Sequence, residues 1–190
     1  LARWLAQTPA TPNQVSLASF AIAMGSLGLF LCGQNLLAGL AAQTSSVVDG
    51  IDGDLARFKG TGTPSGAFLD AVLDRYADVA ILAGLALWSL AFESKGLREL
   101  TLLVATLAIV GALMVSYSRA RAEASLGAAF QGLPGFLASR DTRLFLVMLG
   151  AVLGQGLATL SILAVLSNGA VLWRLALVAG LPGGGKGLTS

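Results

Sequence analysis

The chain contains no histidine and a single cysteine, Cys32, among its 190 residues, and only 12% of its residues are charged. The lone thiol excludes an internal disulfide and a cysteine-based zinc site. Without imidazole, metal binding and acid-base work fall to carboxylates. Soluble domains carry about 25% charged residues, roughly twice the fraction found here. With 55% hydrophobic residues and a mean hydropathy of +0.78, the chain belongs in a membrane. Its net charge of +2 says little by itself, and no nucleic-acid partner is expected.

Long apolar runs make up most of what is there. At about 20 residues per span the length suits one all-α integral membrane bundle of six transmembrane helices. A short interfacial helix is expected before them, where LARWLAQ puts Leu1, Trp4 and Leu5 on one side and Arg3 opposite. The spans are expected at 15–31, 36–58, 66–92, 100–117, 140–153 and 157–177. The last is read as interrupted by Ser167, Asn168 and Gly169, and a loop is expected over 124–139. Residues 1–12 form a juxtamembrane segment, 13–180 the membrane domain, and the Gly-rich residues 181–190 a flexible tail. Leu1 in place of methionine suggests that the chain begins inside a longer protein.

Six spans put both termini on one side of the membrane. Ten of the basic residues fall on or near that side, from Arg3 and Arg57 to Arg174 and Lys186, which leaves Lys95 and Arg98 opposite. By the positive-inside rule that side is cytoplasmic, and the plasma membrane is the expected location.

Residues 47–75 read VVDGIDGDLARFKGTGTPSGAFLDAVLDR. Asp49 and Asp52 are three apart, and Asp70 and Asp74 four apart. On a helix each pair therefore shares a face. Acidic residues on a helix are commonly a solvated face, but apolar runs flank these on both sides and acidic residues are few elsewhere. If the two helices lie side by side, four carboxylates converge and require cations, for which a hard divalent metal with oxygen ligands is the natural partner. Gly53 and Ala56 leave room for a ligand to approach a helix closely, although small residues also serve helix packing in membranes. Arg57 can pair with phosphate or with a motif carboxylate, and Gly66 opens the next helix. A second cluster, Arg119, Arg121, Arg140 and Arg143 with Ser116 nearby, is either a set of topology-determining cations or a pocket for an anionic group, since guanidinium binds phosphate bidentately. Asp54 and Asp78 stand outside both groups. Asp78, one turn beyond Asp74, could bond a ligand or pair with an arginine.

The stretch 49–74 resembles the signature of the CDP-alcohol phosphatidyltransferase family, DxxDGxxAR, eight residues, then GxxxDxxxD, at every defined position. The likeness extends more loosely to TPNQVS before the first span, SYSRARAE after the fourth and RDTR before the fifth. The resemblance implies a six-helix, usually homodimeric membrane enzyme that transfers a substituted phosphate from a CDP-alcohol to an acceptor hydroxyl and releases CMP. It implies two divalent cations, Mg2+ or Mn2+, on Asp49, Asp52, Asp70 and Asp74, with Asp74 also the base. It places the nucleotide at Gly53, Ala56, Arg57 and Gly66, and an acceptor phosphate at Ser116, Arg119, Arg121, Arg140 and Arg143. Two substrate readings compete: CDP-inositol as donor with inositol phosphate as acceptor, slightly favoured, or CDP-diacylglycerol with the same acceptor. Phosphatidylglycerol phosphate or phosphatidylserine synthesis comes third. A cytidylyltransferase domain is a possible upstream neighbour under the first. From another class, intramembrane acids can form a cation pathway in a transporter, but no inverted repeat is visible.

Overall fold

The computed structural model describes residues 7–93, 96–127 and 137–180. Six helices make up these residues, with no strand among them: α1 Pro12–Leu31, α2 Asn35–Lys59, α3 Pro64–Phe92, α4 Arg98–Leu126, α5 Arg140–Leu153 and α6 Gly156–Ala179. Of the expected interfacial helix over residues 1–7, only Gln7 is described, in a turn; residues 1–6 and the expected tail, 181–190, lie outside the described residues.

Local chemistry explains most of the helix ends. Thr11 starts α1 through a reciprocal capping box with Gln14, with Pro12 at the first helical turn. Thr63 and Pro64 take the same positions at α3, where the cap is one-sided: the Thr63 hydroxyl accepts from the Gly66 amide at 3.1 Å. Ser139 caps α5 by accepting from the Thr142 amide at 3.3 Å. Gly60 ends α2 at φ +62°, a left-handed conformation that closes the helix sharply and turns the chain back into α3.

Helix α3 is the axis of the bundle: it touches each of the other five helices. α1 packs on α2 and α3, α2 on α5, and α4 on α6. The core is rich in alanine, with Ala23, Ala38, Ala42, Ala77, Ala108 and Ala151 almost wholly inaccessible. Small side chains let helices approach where no water is available to drive association. The contact of α2 with α5 at Gly39 shows this directly. A Cβ on Gly39 would lie 2.7 Å from the Ala151 Cβ and 3.2 Å from the Met148 backbone. Outward, large apolar side chains such as Leu103, Val165 and Leu172 are exposed, a surface suited to hydrocarbon.

Four helices, α1, α3, α4 and α6, are long and apolar enough to cross a membrane. α2 has the length, 25 residues, but carries Gln43 to Ser46 and the aspartates on it. α5, at 14 residues, covers only about 21 Å at ~1.5 Å per residue.

Two boundaries differ from the sequence expectation. α4 continues past Tyr117 to Leu126, so SYSRARAE is helical, and residues 124–126 belong to the helix and not to the loop. The Arg119 side chain bonds Glu123 one turn on, at 3.0 Å, inside that extension. α6 is continuous through Ser167, Asn168 and Gly169. The Asn168 amide donates to the Ala164 carbonyl one turn back and to the Leu107 carbonyl of α4, so the polar residue ties helices together without breaking one.

Candidate active site

α2 and α3 run back from the Gly60 turn with their motif faces toward each other and toward α1. The i, i+3 and i, i+4 spacings bring Asp49 and Asp52 from α2 to Asp70 and Asp74 from α3. Carboxylate oxygens of Asp49, Asp70 and Asp74 all lie within 4.8 Å of one another. Asp52 is buried beside this trio, and with Asp70 it lines a neighbouring cavity. The residues fit a divalent cation on two counts. The donors are all carboxylate oxygens, the set a hard cation takes. In addition, Oδ1 of Asp70 is buried and has no hydrogen-bond partner among the described residues, an orphan acceptor that a cation would satisfy.

Side chains from distant segments orient the carboxylates. From α1, the Ser19 hydroxyl donates to Asp49 Oδ1 at 3.1 Å, and the Ser16 hydroxyl donates to Asp52 Oδ2. Both serines are buried. From α5, Arg140 Nη1 meets Asp49 Oδ2 at 2.5 Å and Asp74 Oδ1 at 3.1 Å, while its Nε meets Asp78 Oδ1 at 3.2 Å. Arg143 donates through Nη2 to the other oxygen of Asp78 and through Nη1 to the Ala138 carbonyl at 2.7 Å. The Ser46 hydroxyl of α2 donates to Asp141 Oδ1 at 2.8 Å, which ties the first turn of α5 to the acidic helix. Hydrogen bonds of this kind fix ligand orientation and commonly carry 10- to 100-fold in metal affinity. Ser16→Ala should therefore weaken Mn2+ binding by about tenfold with little loss of helix content, measured by titration against the metal's paramagnetic resonance signal.

A cavity of about 530 Å³ opens between the start of α1, the end of α2 and the start of α3. Gly53, Ala56 and Gly66 line it, together with Asp52, Asp70 and Asn13. A Cβ on Gly66 would sit 3.0 Å from Asn13 Oδ1 and 3.1 Å from Thr63 Oγ1, so glycine keeps this corner open. Lys59 closes the far wall by donating to the carbonyls of Thr8 at 2.6 Å and Ala10 at 2.7 Å. The volume falls in the range of small-molecule sites, and through Asp52 and Asp70 its wall adjoins the acidic cluster. Arg57 is not on the wall. Its side chain is exposed and pairs with Asp54 at 2.7 Å.

The proposed acceptor residues divide. Arg140 sits inside the acidic site and Arg143, 3% exposed, is buried against Asp78. Ser116 is half-buried on α4; Arg119 and Arg121 are exposed on the same helix. Most of the loop joining the two sets, residues 128–136, is outside the described residues. Ser16 and Ser19 were not singled out from sequence. The only available signal was the position of TPNQVS ahead of the first span, with Ser19 one turn beyond Ser16.

A helical bundle with an acidic cluster at the end of a nucleotide-sized cavity has the features of a membrane transferase that works with divalent cations. Residues 9–179 match the model of the CDP-alcohol phosphatidyltransferase family, and the chain belongs to that family. It is 44% identical over 171 residues to a bifunctional IPC transferase and DIPP synthase of Rubrobacter xylanophilus, covering 90% of this chain but only 38% of that protein. It is 38% identical over 160 residues to the phosphatidylinositol phosphate synthase of Mycobacteroides abscessus, covering 82% of this chain and 68% of that one. The crystal structure of the Mycobacterium tuberculosis phosphatidylinositol phosphate synthase with manganese and citrate superposes with a TM-score of 0.79 at 31% identity, over 96% of this chain and 88% of that one. The same enzyme with CDP-DAG bound gives a TM-score of 0.78. The manganese in that relative and the three clustered aspartates here fit the divalent-cation dependence of the family.

Proposed function

We propose that the chain transfers a substituted phosphate from a CDP-alcohol to the hydroxyl of a phosphorylated alcohol and releases CMP. One observation carries this reading. The cavity that Gly53, Ala56 and Gly66 keep open ends on Asp52 and Asp70, so a nucleotide lying there brings its pyrophosphate to the acidic cluster. Asp49, Asp52, Asp70 and Asp74 would hold two divalent cations, Mg2+ or Mn2+. Those ions supply charge neutralisation of the pyrophosphate and of the departing CMP. The chain's own side chains do the rest. Asp74 takes the proton of the acceptor hydroxyl, Ser16 and Ser19 hold the α2 carboxylates in orientation, and Arg140, Arg119, Arg121 and Ser116 receive the acceptor's phosphate, with Arg143 behind Arg140.

The favoured donor is CDP-inositol and the favoured acceptor inositol phosphate. The 44% identity to a bifunctional IPC transferase and DIPP synthase supports this choice. It also supports a cytidylyltransferase domain upstream of Leu1. CDP-diacylglycerol is the second reading, favoured by the structural match to a relative with CDP-DAG bound. A donor panel decides between them. Purified protein is given CDP-inositol or CDP-diacylglycerol, each with inositol phosphate, and CMP release is followed with and without Mg2+ or Mn2+. Ion flux without CMP release from any CDP-alcohol would replace the enzyme by a transporter. Within the same proposal, α2 and α5 join the four long apolar helices as membrane spans, both termini and the site face the cytoplasm across the plasma membrane, and two copies form a homodimer. The distribution of basic residues supports the orientation.

The arginines of α4 give a separate expectation. Arg119 is two-thirds exposed and its Glu123 partner nearly half, so their pairing contributes little to stability. Arg119→Ala should raise the KM for inositol phosphate several-fold, leave the donor KM unchanged, and leave the melting temperature within about a degree.

A further inference from the structure

Asp78 lies outside the signature and outside the metal trio, yet its side chain is 5% exposed and each of its oxygens takes a guanidinium. A carboxylate buried to that degree persists only if its charge is matched and its lone pairs are used. Asp78 meets both conditions through the first turn of α5: Oδ1 receives Nε of Arg140 and Oδ2 receives Nη2 of Arg143. Arg143 is in turn tied to the Ala138 carbonyl at the entry of α5.

These contacts assign the nitrogens of Arg140 one by one. Nε goes to Asp78 and Nη1 to Asp49 and Asp74. Nη2 is buried and has no partner among the described residues. A buried cationic donor without an acceptor is costly, and here it lies beside the carboxylates where the transfer is placed. The guanidinium is planar and rigid, so holding Nε and Nη1 fixes the direction of Nη2 as well.

We propose that Asp78 is a positioning residue for the acceptor: by gripping Nε of Arg140 and backing it with Arg143, it sets the direction of Nη2, which is left to receive the acceptor's phosphate, while Nη1 stays held by its own two carboxylates, Asp49 and Asp74. This rests on the phosphorylated-acceptor reading above. It gives Asp78 an effect on one substrate only, although it touches neither substrate.

The experiment uses the purified full chain in lipid nanodiscs, with Asp78→Asn, Asp78→Glu, Arg140→Lys and the Asp78→Asn/Arg140→Lys double variant. Three quantities are measured: KM for donor and for inositol phosphate, direct inositol phosphate binding by calorimetry, and Mn2+ binding by paramagnetic resonance. Asp78→Asn should weaken inositol phosphate about tenfold in both KM and direct binding, with donor KM and Mn2+ affinity within about twofold. On the Arg140→Lys background the same substitution should add less than about twofold, because its effect runs through that guanidinium. If Asp78→Asn does not fold, Asp78→Glu carries the test: it keeps the charge, displaces the carboxylate by one methylene, and should shift acceptor affinity in the same direction.

Unchanged acceptor affinity in the folded variants overturns the proposal. So does an effect that multiplies in full on the Arg140→Lys background. Loss of Mn2+ in parallel with acceptor would make Asp78 a part of the metal site instead. A wild-type chain that releases CMP but is indifferent to Asp78 substitution rejects this inference alone. A wild-type chain that neither binds inositol phosphate nor releases CMP rejects the parent reading with it.

Discussion

Asp74→Asn is expected to lower kcat by about three orders of magnitude while the donor's dissociation constant rises less than in Asp49→Asn. The two aspartates occupy the same cluster, so geometry alone does not separate them. Their neighbours do. Asp49 is held on both oxygens, by Ser19 at 3.1 Å and by Arg140 at 2.5 Å, as suits a carboxylate that only binds. Asp74 has Arg140 at 3.1 Å on one oxygen and a long, half-exposed contact to Arg75 at 3.5 Å on the other. That second oxygen is the more available to take a proton from a hydroxyl. An amide at position 74 retains the size and one acceptor but cannot accept the proton, so the loss should fall on turnover. Pre-steady-state CMP release, alongside equilibrium binding of a non-transferable CDP-alcohol analogue, measures the two losses separately. Equal losses of binding and turnover in both variants would count against a distinct base.

Gly53→Ala should stabilise the protein and impair it at the same time. Position 53 lies within α2, and a Cβ there would meet nothing nearer than Arg57 Nη2 at 3.9 Å, so the protein itself has room for a methyl group. Replacing a helical glycine by alanine contributes about 1 kcal/mol to stability in the absence of a clash. Gly53 also lines the cavity that Asp52, Ala56 and Gly66 share, so a methyl group added there takes up space at that wall. If the donor's nucleotide lies against that wall, displacement by even an ångström costs on the order of 100-fold at the reacting phosphorus. The expected pair of results is a higher melting temperature and a kcat/KM for donor down by about two orders of magnitude, with Gly53→Leu more severe in activity. A variant that gained stability and retained full activity would move the nucleotide elsewhere. Gly66→Ala is a poorer probe, because its Cβ would crowd Asn13 and Thr63 at 3.0 and 3.1 Å and confound the two effects.

The tertiary contacts offset part of the charge of the four clustered carboxylates and leave the rest to cations. Arg140 reaches Asp49, Asp74 and Asp78 together, and Arg143 takes the remaining oxygen of Asp78. Each partner comes from the first turn of α5, whose Ser139 cap and Asp141–Ser46 bond hold that turn against α2. Arg140 is therefore a structural counter-charge of the aspartates as well as a proposed acceptor ligand, so its removal should disturb both metal and acceptor. Arg119, exposed on α4, should disturb only the acceptor.

Helical spacing made the pairs Asp49/Asp52 and Asp70/Asp74 legible from the chain alone, because residues three and four apart share a helix face whatever the helix packs against. The caps at Thr11, Thr63 and Ser139 and the turn at Gly60, which the structure shows, are local as well: side chain and backbone a few residues apart decide the outcome. Polar residues within apolar runs misled: Ser167, Asn168 and Gly169 look like a break, but Asn168 finds its acceptors on its own helix and on α4. What only packing decided is which distant residues meet the carboxylates. Ser16 and Ser19 reach Asp52 and Asp49 from 36 and 30 positions away, and Arg140 reaches Asp49 across 91. No periodicity encodes such meetings. They follow from how closely helices with small side chains can approach, as Gly39 allows α2 to lie on α5, and that is a property of the assembled bundle.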